Sequence, residues 1–150
     1  MSVVPGDAFE RLFELAIVLG DAMERGLSER GLTRARAELL WRLHHQGPMT
    51  QRELSEALRC SPRNVTGLLD GLQADRFVAR SPHPTDRRAT VVTLTEQGST
   101  TLARLNAEYQ RGASDLFVDI SAPDLHTFLN TLDQLLARLR AATSATSDPR

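Results

Sequence analysis

Residues 50–98 constrain this chain more than any other stretch, because they carry start and stop signals for two short helices and then change to strand period. Thr50 and Glu53 have the spacing of a capping box, and Met49 and Leu54 are placed to close a hydrophobic staple across it. Leu54, Ala57 and Leu58 face inward, and this helix ends at Arg59 and Cys60. Ser61 then supplies a preferred N-cap, and Pro62 takes the first helical position, where its missing N–H costs nothing. Val65, Leu68, Leu69 and Leu72 recur at three- and four-residue intervals and form the inward face of the second helix.

Residues 77–80 and 90–95 are β-prone, and residues 81–88 between them are too long and too proline-rich for a tight turn. That segment must protrude as a loop, and it ends in Asp86, Arg87 and Arg88. Two short helices followed by two strands around a projecting loop are the order of a winged helix-turn-helix. The fold class expected is mainly α with a small β-wing.

The outward face of the second helix carries Arg63, Asn64, Thr66, Gly67 and Asp70. Arginine pairs bidentately with guanine and asparagine with adenine, while threonine can touch a phosphate or a thymine methyl. Gly67 would let the backbone approach closely, and Ser61 with the free N–H groups of the first turn suits a phosphate. Arg87 or Arg88 can enter a minor groove while Asp86 holds its guanidinium in orientation. A solvated polar face and a salt-bridged loop are the plainer readings, and the two features together favour double-stranded DNA.

Charge is distributed in the same sense. Residues 50–95 hold seven arginines against five acids, a net +2, whereas the whole chain is −1. A local basic face on an acidic body fits a site-specific DNA binder better than one that coats nucleic acid. All 18 basic residues are arginine, and the one cysteine excludes an intrachain disulfide. Reducing conditions match that count, no apolar run reaches the ~18 residues of a membrane span, and no signal peptide is visible, so a cytoplasmic location without membrane partner is expected.

The flanks read as helices, residues 7–46 and 99–141, around the 50–98 unit of a single domain spanning 1–150. Asp7 can cap the first, whose stripe of Phe9, Leu12, Phe13, Ala16, Leu19, Met23 and Leu27 is widened by Ile17, Val18 and Ala22. A helix apolar on more than one side is covered by a partner subunit or sunk deep in its own domain. Thr33 caps the next helix, with Leu39, Leu40 and Leu43 on one face; Trp41, His44 and His45 on it read as packing or surface. The last helix starts at Ser121 or Asp124 and carries Leu125, Phe128, Leu129, Leu132, Leu135, Leu136 and Leu139, more apolar surface than a small monomer covers. A homodimer interface is expected there, and residues 142–150 are expected to be a disordered tail.

Asp86, Arg88, Leu94, Thr95 and Gly98 match the D-x-R-x5-L-T-x2-G wing signature of the MarR family of bacterial regulators. With Leu54, Ser61, Val65, Thr66, Leu69 and Leu72 in the helix-turn-helix, the chain resembles that family along nearly its whole length. The resemblance implies a triangular homodimer joined through its first and last helices, with recognition helices in major grooves and wings in flanking minor grooves of a palindromic operator. It also implies repression of nearby genes, relieved by a small aromatic or anionic effector, with Arg88 as wing arginine, Asp86 as its support, and no cofactor. One departure is Arg76, where the family commonly has glycine before the first wing strand; strain, a different turn or an added phosphate contact follows. Cys60 is not in the first helix, where some relatives sense oxidants, and reads as a small buried residue.

The chain lacks H-E-x-x-H, a glycine-rich phosphate loop and G-x-S-x-G, so an enzyme is not expected. Two alternatives stand beside the DNA-binding regulator: a winged helix that binds protein, and a metal- or redox-responsive regulator using His44, His45, Cys60 or the N-terminal acids.

Overall fold

The computed structural model of the chain describes residues 4–146. It is mainly helical with one small sheet, as the sequence pattern predicts. Two compact units part between Asn106 and Ala107. The division falls inside a helix, just past Leu105, the last buried residue of that helix.

In the first unit, α1 (Pro5–Ser28) and α2 (Arg34–Gln46) precede the reading segment. Asp7 is not the cap of α1: the helix begins at Pro5, with Val4 as N-cap and no side-chain cap bond. Proline presets the helical φ, so the helix starts three residues early and Asp7 lies in its first turn, where a carboxylate complements the helix dipole. Thr33 does cap α2, accepting the Arg36 N–H at 3.3 Å, and Leu39, Leu40 and Leu43 are buried.

A two-residue strand follows, β1 (Met49–Thr50), then α3 (Gln51–Leu58), α4 (Pro62–Ala74), β2 (Val78–Pro82), β3 (Thr90–Leu94) and α5 (Glu96–Leu116). The sheet is antiparallel in the order β1-β3-β2, with Met49 opposite Val92 and Arg80 also opposite Val92. Strand β1 was not legible: two residues carry no period, and Met49 reads equally as a staple. It is buried against the sheet. The wing loop is also shorter than expected, because Ser81 and Pro82 extend β2 at an edge, where proline costs no ladder bond.

Leu54 from α3, Val65, Leu69 and Leu72 from α4, and Val92 from β3 are completely buried. Each such side chain contributes about 1.5–3 kcal/mol of transfer free energy, so this small core fixes α3 and α4 against the sheet. Ser55 is buried too, and its hydroxyl donates to the Cys60 carbonyl at 2.6 Å, tying the end of α3 across the turn.

The start of α5 is locked to the end of α4. Thr95 donates its N–H to the Phe77 carbonyl at 3.1 Å and its hydroxyl to the Arg76 carbonyl at 2.6 Å, while accepting the Gly98 N–H at 3.0 Å. A Cβ on Gly98 would overlap the Phe77 carbonyl oxygen, so the L-T-x2-G end of the signature is a close backbone approach.

In the second unit, α6 (Ala122–Thr146) is capped by Ser121, whose hydroxyl oxygen accepts the Asp124 N–H at 3.2 Å. Phe117 and Phe128 pack with tilted rings, 6.1 Å between centroids. The tail expected to be disordered from residue 142 is helical to Thr146. Its alanines favour helix, and Thr143 and Ser144 return their hydroxyls to the Arg140 carbonyl at 3.0 and 2.9 Å. The rest of that expected tail, residues 147–150, lies outside the described residues.

Candidate nucleic-acid interface

Helix α4 displays Ser61, Arg63, Asn64, Thr66 and Gly67 on one exposed face, opposite buried Val65, Leu69 and Leu72. The sequence period places them there, and the N-cap fixes their start: the Ser61 hydroxyl oxygen accepts the Asn64 N–H at 3.2 Å. The Arg63 guanidinium and the Asn64 amide have no hydrogen-bond partner among the described residues. They are therefore available to an external acceptor or donor. Thr66 donates its hydroxyl to the Pro62 carbonyl at 2.9 Å, which spends its proton inside the helix and leaves its methyl group and lone pairs outward.

The two glycines of α4 differ in kind. A Cβ on Gly71 would overlap the guanidinium of Arg36, which crosses from α2 and pairs with Asp75 at 3.0 Å. A Cβ on Gly67 would meet nothing within 4 Å. The Arg36 guanidinium thus covers Gly71, and nothing covers Gly67.

The wing loop is built by its own backbone. The His83 N–H donates to the Ala89 carbonyl at 3.0 Å, and the His83 Nδ1 accepts the N–H groups of Thr85 and Asp86 at 3.2 and 3.1 Å. Asp86 accepts the Arg88 N–H at 3.0 Å, closing an Asx turn. This corrects the expectation that Asp86 grips a guanidinium: a short carboxylate two residues upstream reaches the backbone first, and no ion pair joins it to Arg87 or Arg88 among the described residues. Both arginines are exposed at the tip.

Helix α4 and the wing are joined by a link that sequence reasoning missed. Arg80 of β2 donates from Nε to Gln73 Oε1 at 2.5 Å and from a terminal nitrogen to Asp70 Oδ1 at 2.6 Å. Asp70 was placed on the outward face with no partner, and an acid and an arginine ten residues apart carry no local signal. His83 was missed for a similar reason, since a loop histidine reads as solvated until the turn is seen.

Among the described residues, two that are not glycine have positive φ, Arg59 at 51° and Arg76 at 63°. Around Arg76 the N–H of Phe77 reaches the Leu72 carbonyl at 2.8 Å and that of Arg76 the Gln73 carbonyl at 3.0 Å, a Schellman closure of α4. Of strain, a different turn or a phosphate contact, the structure thus has the usual turn with an arginine at its left-handed position, where a side chain is strained. Cys60 is half-buried, with its thiol toward the Leu58 carbonyl at 3.4 Å.

At the other end of the segment the capping box is complete. The Thr50 N–H and hydroxyl donate to Glu53 Oε2 at 2.7 and 3.0 Å, and these bonds hold the Glu53 carboxyl below its ordinary range. The rings of Trp41, His44 and His45 cluster on the exposed face of α2 with centroids 4.8–5.9 Å apart. No group of three metal-ligating side chains occurs among the described residues, and no helix among them is long and apolar enough to cross a membrane.

Comparison with known proteins points the same way. Residues 32–90 match the model of the MarR family. The chain is 30% identical over 135 residues to the transcriptional activatory protein BadR of Rhodopseudomonas palustris, covering 85% of this chain and 77% of that one. It is 28% identical over 138 residues to the HTH-type transcriptional repressor YetL of Bacillus subtilis, covering 89% and 81%. Among solved structures, the S. aureus MepR F27L mutant bound to an oligodeoxyribonucleotide has the same fold, with a TM-score of 0.68 at 20% identity over 87% of this chain and 97% of that one.

Proposed function

The chain belongs to the MarR family and is a transcriptional regulator with a DNA-binding winged helix, not an enzyme; on that premise we propose that it is a homodimeric repressor at a palindromic operator near its own gene. Ser61, Arg63, Asn64, Thr66 and Gly67 meet the major groove, and Arg87 and Arg88 the flanking minor groove. The observation that carries this reading is Gly67, a mid-helix glycine on the exposed face that nothing inside the molecule requires. It leaves open the surface that a base edge or phosphate would approach.

Dimerisation is supported by apolar exposure. Phe9, Phe13 and Val18 of α1 are 59–67% exposed, and α6 has no buried residue among those whose side chains are described. Surfaces of that kind are covered by a second copy. One reading unit with a net +2 is also too weakly charged for tight binding alone.

The effector, a small aromatic or anionic molecule, is supported by a groove of about 360 Å³ along α1 and the start of α2, lined by Ala16, Leu19, Met23, Glu24, Leu27 and Arg34. Its apolar walls suit an aromatic ring, and with Glu24 beside Arg34 in the lining a polar substituent can meet either charge. The repressor assignment follows the similarity to YetL, and the similarity to BadR makes activation the competing outcome.

Selection of bound duplexes from a genomic pool tests the reading. The expected result is a palindrome with half-sites about one helical turn apart, whose occupancy lowers transcription from the adjacent promoter in a purified system. A non-palindromic site, or increased transcription, would refute the dimeric or the repressor part respectively.

A further inference from the structure

We propose that Arg80 is a positioning residue for DNA binding, setting the angle between the recognition helix and the wing by holding Asp70 and Gln73. The inference rests on the DNA-binding reading above and adds a residue that neither reads a base nor touches a phosphate.

Asp70 and Gln73 are three residues apart on α4 and so lie on one side of it. Arg80 lies in the middle of β2, with its backbone opposite Val92, which is completely buried. One strand position is thus bonded to two successive points on the helix, at 2.6 and 2.5 Å. A single bond would leave a pivot. Two bonds from Nε and a terminal nitrogen of one planar guanidinium fix a direction as well as a distance, which a lysine ammonium cannot do. The side chain is only 23% exposed, so its geometry is held by packing.

The link is also one of two on the same turns of α4. Arg36 comes from α2 across Gly71 to Asp75 at 3.0 Å. Residues 70–75 are thereby tied to the scaffold through Arg36 and to the wing through Arg80. The wing has need of it, because the ribbon beyond the core is only two strands, β2 and β3, and such ribbons twist readily. Groove spacing on DNA is fixed, so a wing at the wrong angle forfeits the minor-groove contact even with Arg87 and Arg88 intact.

Arg80 does a second, separable thing: it neutralises Asp70, an acid on the outward side of α4 that would otherwise repel phosphate. The experiment separates the two. Full-length wild type, Arg80→Met, Arg80→Lys, Gln73→Ala and the double variant Arg80→Met with Asp70→Asn are titrated onto the selected operator at several salt concentrations. Each complex is then footprinted with hydroxyl radical, which reports the minor-groove flanks, and dimethyl sulfate, which reports guanine N7 in the major groove. Positioning predicts binding about tenfold weaker for Arg80→Met, the order of one charge-assisted contact, with flank protection lost and half-site N7 protection kept. It predicts no rescue by Arg80→Lys or by the double variant, and a partial loss of flank protection in Gln73→Ala, which answers the question should Arg80→Met fail to fold.

Recovery of wild-type affinity in the double variant would overturn positioning in favour of charge neutralisation. An unchanged footprint with a salt slope lower by about one would overturn it in favour of a direct phosphate contact. A wild-type chain that selects no duplex at all refutes the DNA-binding reading itself, and this inference with it.

Discussion

The carboxylate of Asp86 accepts the backbone N–H of Arg88 at 3.0 Å, so the acid shapes the loop that presents the arginine and leaves the guanidinium free. The two residues then have different signatures. Arg88→Ala should weaken operator binding and lower its salt slope by about one, as for loss of a single groove cation. Asp86→Ala should weaken binding with no change of slope, and Asp86→Asn, whose amide oxygen still accepts the N–H, should stay near wild type. Anisotropy titrations at two salt concentrations decide, and an Arg88→Ala chain with unchanged affinity removes the wing from the interface.

Elements with a local signal were legible in the sequence. The capping box at Thr50, the Ser61 and Pro62 restart, the inward Val65, Leu69 and Leu72 of α4 and the Thr95 to Gly98 start of α5 all depend on neighbours within four residues, and the structure has each, while Leu68 is only half-buried. What was not legible depends on distant pairing. Strand β1 exists because Met49 and Thr50 lie beside Val92 and Val91, and the Arg80 link exists because β2 folds back on α4. The start of α1 was misplaced because proline and aspartate two residues apart both signal an N-terminus, and Pro5 won. The outward face of α4 was readable as a list of residues; that Gly71 is filled by Arg36 while Gly67 is open required coordinates.

Arg76 has a φ of 63° at the position of a Schellman turn where glycine is usual. The turn persists because Thr95 and Gln97 hold its carbonyls, the latter donating to the Asp75 carbonyl at 3.0 Å. A left-handed non-glycine residue costs about 1 kcal/mol, partly offset by the greater freedom of glycine in the unfolded chain. Arg76→Gly should therefore stabilise the protein by up to about 1 kcal/mol, or roughly 2–4 °C in Tm. Thermal denaturation checks it, and a lower Tm would mean that the arginine side chain makes a stabilising contact.

The capping box makes a pH-dependent contribution whose sign is fixed. Glu53 titrates below its ordinary range in the folded protein, first because the Thr50 N–H and then because the Thr50 hydroxyl donate to its charged form. A lowered folded value means stabilisation that is complete above the unfolded glutamate value of about 4.3 and lost as pH falls through the lower folded one. The stability difference between wild type and Glu53→Gln should therefore be present at neutral pH and disappear in acid. Thr50→Ala, which removes the cap oxygen, should cost about 1 kcal/mol at neutral pH. Denaturant titrations between pH 3 and 7 test both, and a difference that grows in acid contradicts the assignment.

Gly67 separates stability from function. A glycine inside a helix costs about 1 kcal/mol relative to alanine, and here a Cβ would meet no atom within 4 Å. Gly67→Ala should thus raise Tm. If the helix approaches DNA closely at this point, the same methyl group should weaken operator binding, so the variant becomes more stable and less active at once. Gly71→Ala is the control on the same helix: its Cβ would displace the Arg36 guanidinium from Asp75, so its gain in Tm should be smaller than that of Gly67→Ala. Paired melting curves and operator titrations read both variants. A Gly67→Ala chain that is stabilised and binds as tightly as wild type would place Gly67 outside the interface and move the reading surface toward Ser61 and Asn64.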